Sequence, residues 1–311
     1  RHQFLAALEL SGATDRNSGW QPHHLLIYQD QSPQAPLIAV MPLYLKYHSY
    51  GEYIFDWSWA DAYRRHDVPY YPKLLSAIPY TPATGPRLCT VAGIDSDALY
   101  PLVSQALRQE AANCKAASVH ILFTQQQAMQ AFEQAGLSPR RSVQFHWFND
   151  SFSNFDDFLA RFSSRKRKNL KKERRQVEGQ NIQLEVLEGS QITSELWQHF
   201  YHFYQMTYAK LSGHGGYLNL DFFQRVAQTM PENIVLVMAK HEGQYIAGAL
   251  NFRDSKTLYG RYWGCLKEFD FLHFEACYYQ GIDYCIKHNL QRFDPGAQGE
   301  HKIQRGFAPI E

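Results

Sequence analysis

A short segment near the end of the chain concentrates side chains that exchange protons or bind anions. It covers residues 293–307, FDPGAQGEHKIQRGF, where a predicted strand ends and Pro295 leads into two glycines. Its candidate catalytic and ligand-binding side chains are Asp294, Glu300, His301, Lys302 and Arg305. Because α/β proteins collect their sites on loops that follow strands, the pattern indicates a ligand-binding loop. A plain turn with solvated charges would give the same pattern.

A second feature is a run of positive charge in residues 165–175, with eight Lys or Arg against one acid, Glu173. The candidates for binding an anion or a phosphate are Arg165, Lys166, Arg167, Lys168, Lys171 and Lys172, followed by Arg174 and Arg175. Around one helix these charges repel one another. A phosphate-rich partner, such as an RNA acceptor stem or a lipid-linked diphosphate, would relieve that repulsion and release counterions. The alternative is a solvated helix face whose partners lie elsewhere on the protein.

Two common catalytic classes lack their signatures. His199 and His202 are three residues apart on a predicted helix, but no H-E-x-x-H pattern occurs, so we expect no metal site. The chain has no G-x-S-x-G motif, which argues against a Ser-His-Asp hydrolase. His214 lies in a glycine-rich turn, residues 212–216, that could close over a substrate, although an ordinary surface loop is the simpler interpretation.

Regular elements must position these side chains, and the second half of the chain predicts them clearly. We expect helices over residues 155–177, 194–209, 221–230 and 272–289. We expect strands over residues 183–187, 234–241, 244–253, 257–263 and 291–294. The short connections between the three middle strands are typical of hairpins.

The first half predicts a similar mixture. Helices are expected over residues 1–10, 70–77, 97–117 and 125–135, and strands over 23–29, 36–47, 53–57, 118–123 and 142–149. Both halves contain a β meander, an aromatic turn with Trp, a Tyr-rich helix and a Pro-Gly loop. The alternation predicts an α/β fold, and the echo favours tandem repetition of one fold.

Length and composition bound the class of protein. The 311 residues exceed one typical hydrophobic core, so we expect two domains, residues 1–150 and 151–311. With 45% hydrophobic and 20% charged residues the composition is globular, and no apolar run reaches the ~20 residues of a membrane span. A net charge of +1 does not steer the whole molecule toward nucleic acid, so any such attraction must be local.

Cysteine usage and the first residues bear on location. The five cysteines include no C-x-x-C pair, which suggests neither a disulfide framework nor a zinc knuckle, and no secretory signal is present. We therefore expect a cytoplasmic protein. The chain starts without Met and ends at Glu311 just after a structured segment, so we expect the natural protein to extend beyond both ends.

Six segments together resemble the Fem-like family of peptidoglycan biosynthesis/recognition proteins, predicted N-acyltransferases of the GNAT superfamily. They are residues 42–57 (PLYLKYHSYGEYIFDW), 70–88 (YYPKLLSAIPYTPATGPRL), 163–175 (SSRKRKNLKKERR), 248–264 (GALNFRDSKTLYGRYWG), 272–286 (LHFEACYYQGIDYCI) and 293–307. The resemblance covers nearly the whole chain. It implies two tandem GNAT-like domains with mixed sheets, and a relationship to ligases that move amino acids from aminoacyl-tRNA to peptidoglycan precursors.

The resemblance also implies roles for single residues. Lys302 is similar to a lysine that Fem-type ligases carry in a short Phe-Lys segment, although His301 and Ile303 replace its expected neighbours. In acyl transfer, the residues expected to stabilise the oxyanion or hold a donor phosphate are Lys302 and Arg305, and those expected to accept the amine proton are Asp294, Glu300 and His301. The residues expected to bind substrate on the preceding strand are Tyr259, Arg261, Tyr262 and Trp263. For Arg261 the alternative is an exposed salt bridge at the strand end.

The donor stays open between aminoacyl-tRNA and acyl-CoA. GNAT enzymes hold the CoA pyrophosphate with a Q/R-x-x-G-x-G/A loop at a helix N-terminus, and this chain offers only Arg261, Gly264 and Leu266, whose bulk would obstruct the phosphate. We predict an N-acyltransferase with a cleft between its halves and an amine-bearing small molecule or peptide as acceptor. The alternatives are a non-catalytic module that recognises peptidoglycan or a peptide, and an ordinary acetyl-CoA-dependent N-acetyltransferase.

Overall fold

The computed structural model describes residues 1–311 apart from Phe55, His214 and Gln298, so the turn histidine of the sequence analysis lies outside the described residues. Contacts divide the chain into two compact units. The N-terminal unit is Leu8–Arg141, and the C-terminal unit is Arg1–Ala7 with Ser142–Glu311. The predicted division into domains of residues 1–150 and 151–311 stays a prediction. Among the described residues, no helix has both the length and the apolar character needed to cross a bilayer.

The N-terminal unit contains two sheets, with strand orders β1-β4-β5-β7 and β2-β3-β6. The strands are β1 Trp20–Pro22, β2 Leu25–Tyr28, β3 Leu37–Met41, β4 Tyr44–Lys46, β5 Lys73–Ser76, β6 Cys89–Thr90 and β7 Val119–Ile121. Its helices are α1 His2–Leu10, which starts in the other unit, α2 Trp57–Arg65, α3 Ser96–Asn113 and α4 Gln126–Gln134. Strands β5 and β7 are parallel, and the other pairs are antiparallel.

The C-terminal unit is built on a seven-stranded sheet of order β14-β8-β13-β12-β11-β10-β9. The strands are β8 Gln144–Phe148, β9 Ile182–Glu188, β10 Ile234–His241, β11 Gln244–Arg253, β12 Thr257–Cys265, β13 Arg292–Asp294 and β14 Ala308–Ile310. The helices are α5 Phe155–Ala160, α6 Ser164–Gly179, α7 Ser194–Ser212, α8 Leu220–Thr229, α9 Leu272–Phe274 and α10 Gln280–Lys287. A π-helical turn, Glu275–Tyr279, joins α9 to α10, and 3-10 helices cover Gly189–Gln191, Pro231–Asn233 and Glu300–Arg305.

The two units repeat one arrangement. In each, an antiparallel pair leads into a strand that runs parallel to its next neighbour, after a crossover that contains a helix. The pairs are β5 with β7, which α3 connects, and β12 with β13, which α9 and α10 connect. The predicted α/β fold class with mixed sheets is confirmed, with one such sheet system in each of the two units.

The helix predicted over residues 70–77 is wrong, because strand β5 occupies Lys73–Ser76. All four of its residues are buried, and a strand covered on both faces cannot be told from a buried helix by periodicity. Pro72 also lacks the amide that a helix interior requires.

Two further predictions near helix starts are wrong. The strand over residues 53–57 is not formed, because positions 53, 54 and 56 lie in no strand or helix and α2 begins at Trp57. In the last turn of α2, Arg64 and Arg65 both pair with Asp61 on the same helix face. The single helix over residues 155–177 is divided into α5 and α6. At the break, the ring of Phe162 packs edge-on against Phe158, with centroids 5.2 Å apart.

Candidate active site

The C-terminal unit buries an arginine–aspartate pair where its two parallel strands meet. Asp294 is the last residue of β13, and Arg261 lies on the neighbouring β12. The guanidinium donates from Nη1 to Oδ1 at 3.2 Å and from Nη2 to Oδ2 at 2.8 Å. Both side chains are only 1% exposed. The salt bridge considered as the alternative for Arg261 is therefore present, but it is buried, and its two-pronged geometry fixes the plane of the carboxylate.

A β-bulge aims Arg261 at this carboxylate. In the ladder between β11 and β12, Leu250 pairs with Tyr262 and Asn251 with Gly260, which leaves Arg261 without a residue opposite it. Bulges redirect a side chain and are common beside active sites. The sequence pattern contains no signal for the position of this bulge.

The surroundings of Asp294 keep it ionised. Burial opposes the charge, but the Arg261 guanidinium outweighs it and holds the pKa of Asp294 below its ordinary value. His146 Nε2 lies 3.6 Å from Asp294 Oδ1, and burial lowers the pKa of His146 to about 4, so this imidazole is neutral at neutral pH. Arg261 Nε and His146 Nδ1 are buried without hydrogen-bond partners among the described residues. Buried polar atoms of this kind require an explanation, and a bound ligand is one.

Lys302 closes the loop that follows Asp294. It lies on the 3-10 helix Glu300–Arg305, is 2% exposed, and donates from Nζ to Gly296 O at 2.8 Å and to Ala297 O at 3.4 Å. Gly296 in turn donates from its amide to Asp294 Oδ1 at 2.9 Å, with a φ of +89° that favours glycine. Burial lowers the pKa of Lys302 to about 8, with the Asp294 charge opposing the shift. The pKa of Lys302 therefore lies closer to neutral pH than that of an exposed lysine, as is common for lysines at functional sites.

The other predicted loop residues lie around Lys302 in different environments. Arg305 forms a two-pronged salt bridge with Glu173 of α6, Nη2 to Oε1 at 2.9 Å, and its guanidinium lies 3.4 Å from the ring centre of Phe274. These contacts anchor the 3-10 helix. His301 is exposed, with Nε2 2.9 Å from the hydroxyl of Tyr278. Burial, then the charges of Arg305 and Lys302, lower the pKa of His301. The side chain of Glu300 is also exposed.

The π-helical turn Glu275–Tyr279 was not predicted. Its apolar residues follow the same helical spacing as the rest of the helix predicted over residues 272–289. Such turns occur frequently at functional sites. Here Glu275 is buried and accepts from Arg174 of α6 at 2.9 Å, while Tyr279 donates to Glu173. Cys277 lies close enough that the ionisations of its thiol and of Lys302 influence each other. An acid within an apolar helix pattern, Glu275, was the available signal.

The four residues predicted to bind substrate on β12 lie in three different environments. The Tyr259 hydroxyl donates to Asp254 Oδ2 at 2.9 Å, and its ring lies 5.2 Å from the Arg261 guanidinium, so these two residues stay together. Tyr262 is 4% exposed and lies in the aromatic core. Trp263 packs edge-on against the His273 ring, with centroids 5.4 Å apart, and burial lowers the pKa of His273 to about 4.

The basic run divides between internal and outward contacts. Lys166 donates to Ile303 O at 3.2 Å, Lys171 pairs with Asp156 at 2.7 Å, and Arg174 pairs with Glu275. The remaining cations, which have no ion-pair partner among the described residues, are Arg165, Arg167, Lys168, Lys172 and Arg175. Four of these side chains are exposed, and that of Arg167 is half-buried. The helix therefore presents part of its charge to solvent, as an anion-binding face requires.

The N-terminal unit contains a buried ionic network that was not predicted from the sequence. Lys73 Nζ donates to Glu52 Oε2 at 2.9 Å, to Asp56 Oδ2 at 2.6 Å and to Ser49 Oγ at 2.9 Å. Lys46 Nζ lies 4.0 Å from Glu52 Oε1, and burial lowers the pKa of Lys46 to about 7. Because buried charges must be paired, a lysine inside an apolar strand pattern was the signal for such a network.

The segment that replaces the CoA loop is occupied by packing. A Cβ on Gly264 would lie 2.2 Å from the Phe203 carbonyl carbon, so this glycine allows α7 to approach β12. The Leu266 amide donates to Ile246 O at 2.9 Å, and the Leu266 side chain is 48% exposed. A cavity of about 490 Å³ in the C-terminal unit lies elsewhere, between Trp197 and Pro231.

A family model described as peptidoglycan biosynthesis/recognition, FemAB-like, matches residues 1–311. The structure of FemX is similar with a TM-score of 0.56 at 14% identity, covering 99% of this chain and 89% of that chain. The structure of L-PGS from Bacillus licheniformis is similar with a TM-score of 0.53 at 12% identity, covering 94% and 74%. The C-terminal domain of a putative lysylphosphatidylglycerol synthetase from Agrobacterium fabrum gives 0.51 at 13% identity, covering 94% and 72%. Curated proteins give no significant match.

Proposed function

The chain belongs to the FemAB-like family of peptidoglycan biosynthesis/recognition proteins, and we propose that it is an N-acyltransferase that moves an acyl or aminoacyl group to an amine of a peptidoglycan precursor or peptide. The observation that carries this proposal is the buried group of Arg261, Asp294 and Lys302 beside the glycine loop. Its charges are fixed before any substrate arrives, which is the condition for electrostatic catalysis.

The reaction sets three requirements. The acceptor nitrogen forms a bond to the donor carbonyl carbon, and the bond from that carbon to the donor oxygen or sulfur breaks. The acceptor amine loses a proton, the leaving group gains one, and the carbonyl oxygen carries negative charge in between. Lys302 suits the last requirement, because its ammonium has only neutral carbonyl oxygens as hydrogen-bond partners among the described residues.

Asp294 and Arg261 act in this proposal as positioning residues. Asp294 accepts from the Gly296 amide and so fixes the loop whose carbonyls hold Lys302. Arg261 neutralises Asp294 and keeps it from accepting a proton, because the pKa of Asp294 lies below its ordinary value. The proton of the acceptor amine then goes to His301, which is exposed and mostly neutral at neutral pH because its pKa is lowered.

An aminoacyl-tRNA is the favoured donor. The exposed cations of α6 suit a phosphate backbone, and the Leu266 amide, committed to Ile246, does not offer a free donor to a pyrophosphate. One similar structure is a domain of a putative lysylphosphatidylglycerol synthetase, a protein named for a product that carries an aminoacyl group.

The experiment is a calorimetric screen of the protein against aminoacyl-tRNA, acyl-CoA and an amine-bearing muropeptide, followed by turnover assays with each donor that binds. We expect aminoacyl-tRNA to bind and its labelled aminoacyl group to appear on the muropeptide. Turnover with acetyl-CoA alone would instead identify an ordinary acetyltransferase. Binding of neither donor would refute the proposal.

Recognition of peptidoglycan without catalysis is the second candidate. It is favoured by one observation, the enclosure of the Lys302 ammonium, which reaches the reacting carbonyl only if its contacts with the carbonyls of Gly296 and Ala297 open. Muropeptide binding without turnover by any donor would select this function over the transferase.

A further inference from the structure

Three side chains of different metal-binding type converge in the N-terminal unit, away from the residues discussed above. Glu110 and Cys114 lie one turn apart at the C-terminal end of α3, and His23 directly follows β1. His23 Nε2 is 2.8 Å from Glu110 Oε1 and 3.6 Å from Cys114 Sγ, which is 3.4 Å from the same carboxylate oxygen. The three atoms therefore form a compact triangle.

The dimensions of this triangle match those of a metal site. With Zn–N and Zn–O near 2.0–2.2 Å and Zn–S near 2.3 Å, a tetrahedral ion places its ligand atoms roughly 3.4 to 3.6 Å apart. The two distances that involve Cys114 Sγ already have these values. The third distance is shorter because a hydrogen bond joins His23 to Glu110, and an opening of about 0.6 Å would bring it to the tetrahedral value.

Outer contacts support the same interpretation. The Asn113 side-chain amide donates to Glu110 Oε2 at 3.0 Å, which turns the other oxygen, Oε1, toward His23 and Cys114. Second-shell partners of this kind orient the ligands of metal sites. The side chains of His23 and Glu110 are 34% and 31% exposed, so an ion can enter from solvent.

We propose that His23, Glu110 and Cys114 bind one divalent zinc ion, with water in the fourth position. The donor set of imidazole, thiolate and carboxylate is one that zinc accepts, whereas Mg²⁺ and Ca²⁺ require oxygen ligands. On binding, the Cys114 thiol releases its proton to solvent, and the His23 imidazole keeps its proton on Nδ1 while Nε2 binds the ion. The ion ties the end of α3 to the segment after β1. Such a site would differ from the expectation of no metal, which rested on the absence of an H-E-x-x-H pattern.

A nearby pair provides a matched control. His24 Nε2 lies 2.8 Å from Glu9 Oε1, the same distance as in the His23 pair, and this pair is not part of a three-ligand group among the described residues. Cys89 is an exposed free thiol and serves as the control for Cys114. The two pairs of variants separate a built site from adventitious binding to any histidine or thiol.

The test is a zinc titration of the full 311-residue chain, after removal of metal, against a chromophoric chelator. We expect one zinc per chain, an affinity at least about 100-fold weaker in Cys114→Ser and His23→Ala, and about tenfold weaker in Asn113→Ala. His24→Asn and Cys89→Ser should bind as the unmodified chain does. With cobalt as probe, a sulfur-to-metal charge-transfer band should appear and vanish in Cys114→Ser.

An alkylation assay on the unmodified chain covers the case in which Cys114→Ser does not fold. Zinc should slow the alkylation of Cys114 and leave that of Cys89 unchanged. The absence of stoichiometric binding, equal affinity in Cys114→Ser, or unprotected Cys114 would each overturn the proposal. These readouts do not depend on transferase activity, so they are independent of the proposed function.

Discussion

The N-terminal unit buries two lysines, Lys46 and Lys73, and the C-terminal unit buries Lys302. Lys73 and Lys302 differ in what surrounds the ammonium. In the N-terminal unit, Lys73 donates to the carboxylates of Glu52 and Asp56 at 2.9 and 2.6 Å. In the C-terminal unit, Lys302 donates only to the carbonyl oxygens of residues 296 and 297 among the described residues. One charge is neutralised by two carboxylates, and the other is held by neutral dipoles.

This difference separates a structural role from a chemical one. A neutralised buried ion pair is costly to break and offers nothing to a substrate. An ammonium without a bonded carboxylate is costly to keep protonated, and burial lowers the pKa of Lys302 to about 8 accordingly. Negative charge that develops on a substrate would compensate Lys302, whereas Lys73 is already compensated.

Lys73→Met should give the largest effect on stability. The substitution removes the cation that hydrogen-bonds to both Glu52 and Asp56 and leaves only Lys46, 4.0 Å from Glu52, so the free energy of unfolding should fall by about 3–5 kcal/mol. Urea unfolding measures the loss. Lys302→Met is the matched control and should lose much less, since no carboxylate is left unpaired. Equal losses in the two variants would remove the distinction between the units.

Asp294→Asn should destabilise by about 3 kcal/mol, because Arg261 then keeps a buried charge without its counter-ion. If the two residues act as a pair, the double variant with Arg261→Met should be more stable than the sum of the single losses predicts. A double-mutant cycle by urea unfolding measures this coupling. Strictly additive losses would contradict the pairing.

The pH dependence of transfer should identify Lys302. If its ammonium stabilises the oxyanion, the rate should fall about tenfold per pH unit above about 8, where Lys302 loses its proton. Lys302→Arg should keep its rate to higher pH, because arginine does not titrate there. The acceptor amine titrates equally in both proteins. If the transfer rates of the two proteins depend on pH in the same way above about 8, Lys302 is not the group whose titration limits the rate.

The same pKa predicts the sign of a stability change. Because the pKa of Lys302 falls from 10.5 to about 8 on folding, the unfolded chain binds more protons between these values. The contribution of Lys302 to the free energy of unfolding should therefore rise with pH across this window. Lys302→Met should remove that rise, and an unchanged pH slope in this variant would argue against the lowered pKa.

The smallest effects should come from the basic face of α6. Lys168→Gln and Lys172→Gln should each lower the slope of log K for tRNA against log salt by about 0.7–0.9. Lys171→Gln is the control and should change the slope less, because Lys171 already pairs with Asp156 at 2.7 Å. Filter-binding titrations at several salt concentrations give the slopes. Equal changes of slope in all three variants would refute the proposal that the exposed cations of α6 bind the tRNA.

The fold was predictable where the pattern is local. Strands β10 and β11 begin and end where the sequence predicts, because alternation and short turns define a hairpin. Strand β5 was not predictable, since its four residues are buried on both faces and its identity depends on pairing with β4 and β7. Strand β14 is three residues long and depends on β8, which is distant in sequence.

The candidate site was predictable in its residue types but not in their geometry. The loop of residues 293–307 identified Asp294 and Lys302, and the structure brings them together with Arg261. The bulge that directs Arg261 toward Asp294 depends on a one-residue register shift between β11 and β12. The hydrophobic periodicity of the sequence does not reveal such a shift. The union of His23 with Glu110 and Cys114 also joins residues far apart in the chain.

The most direct test is the single-turnover rate of aminoacyl transfer to an amine-bearing muropeptide, compared between the unmodified chain and Lys302→Met with the fold checked by urea unfolding. Loss of an oxyanion-stabilising donor should lower the rate by about 10²–10³-fold. A folded Lys302→Met variant that transfers at the original rate would contradict the assignment of the reaction centre to the C-terminal unit.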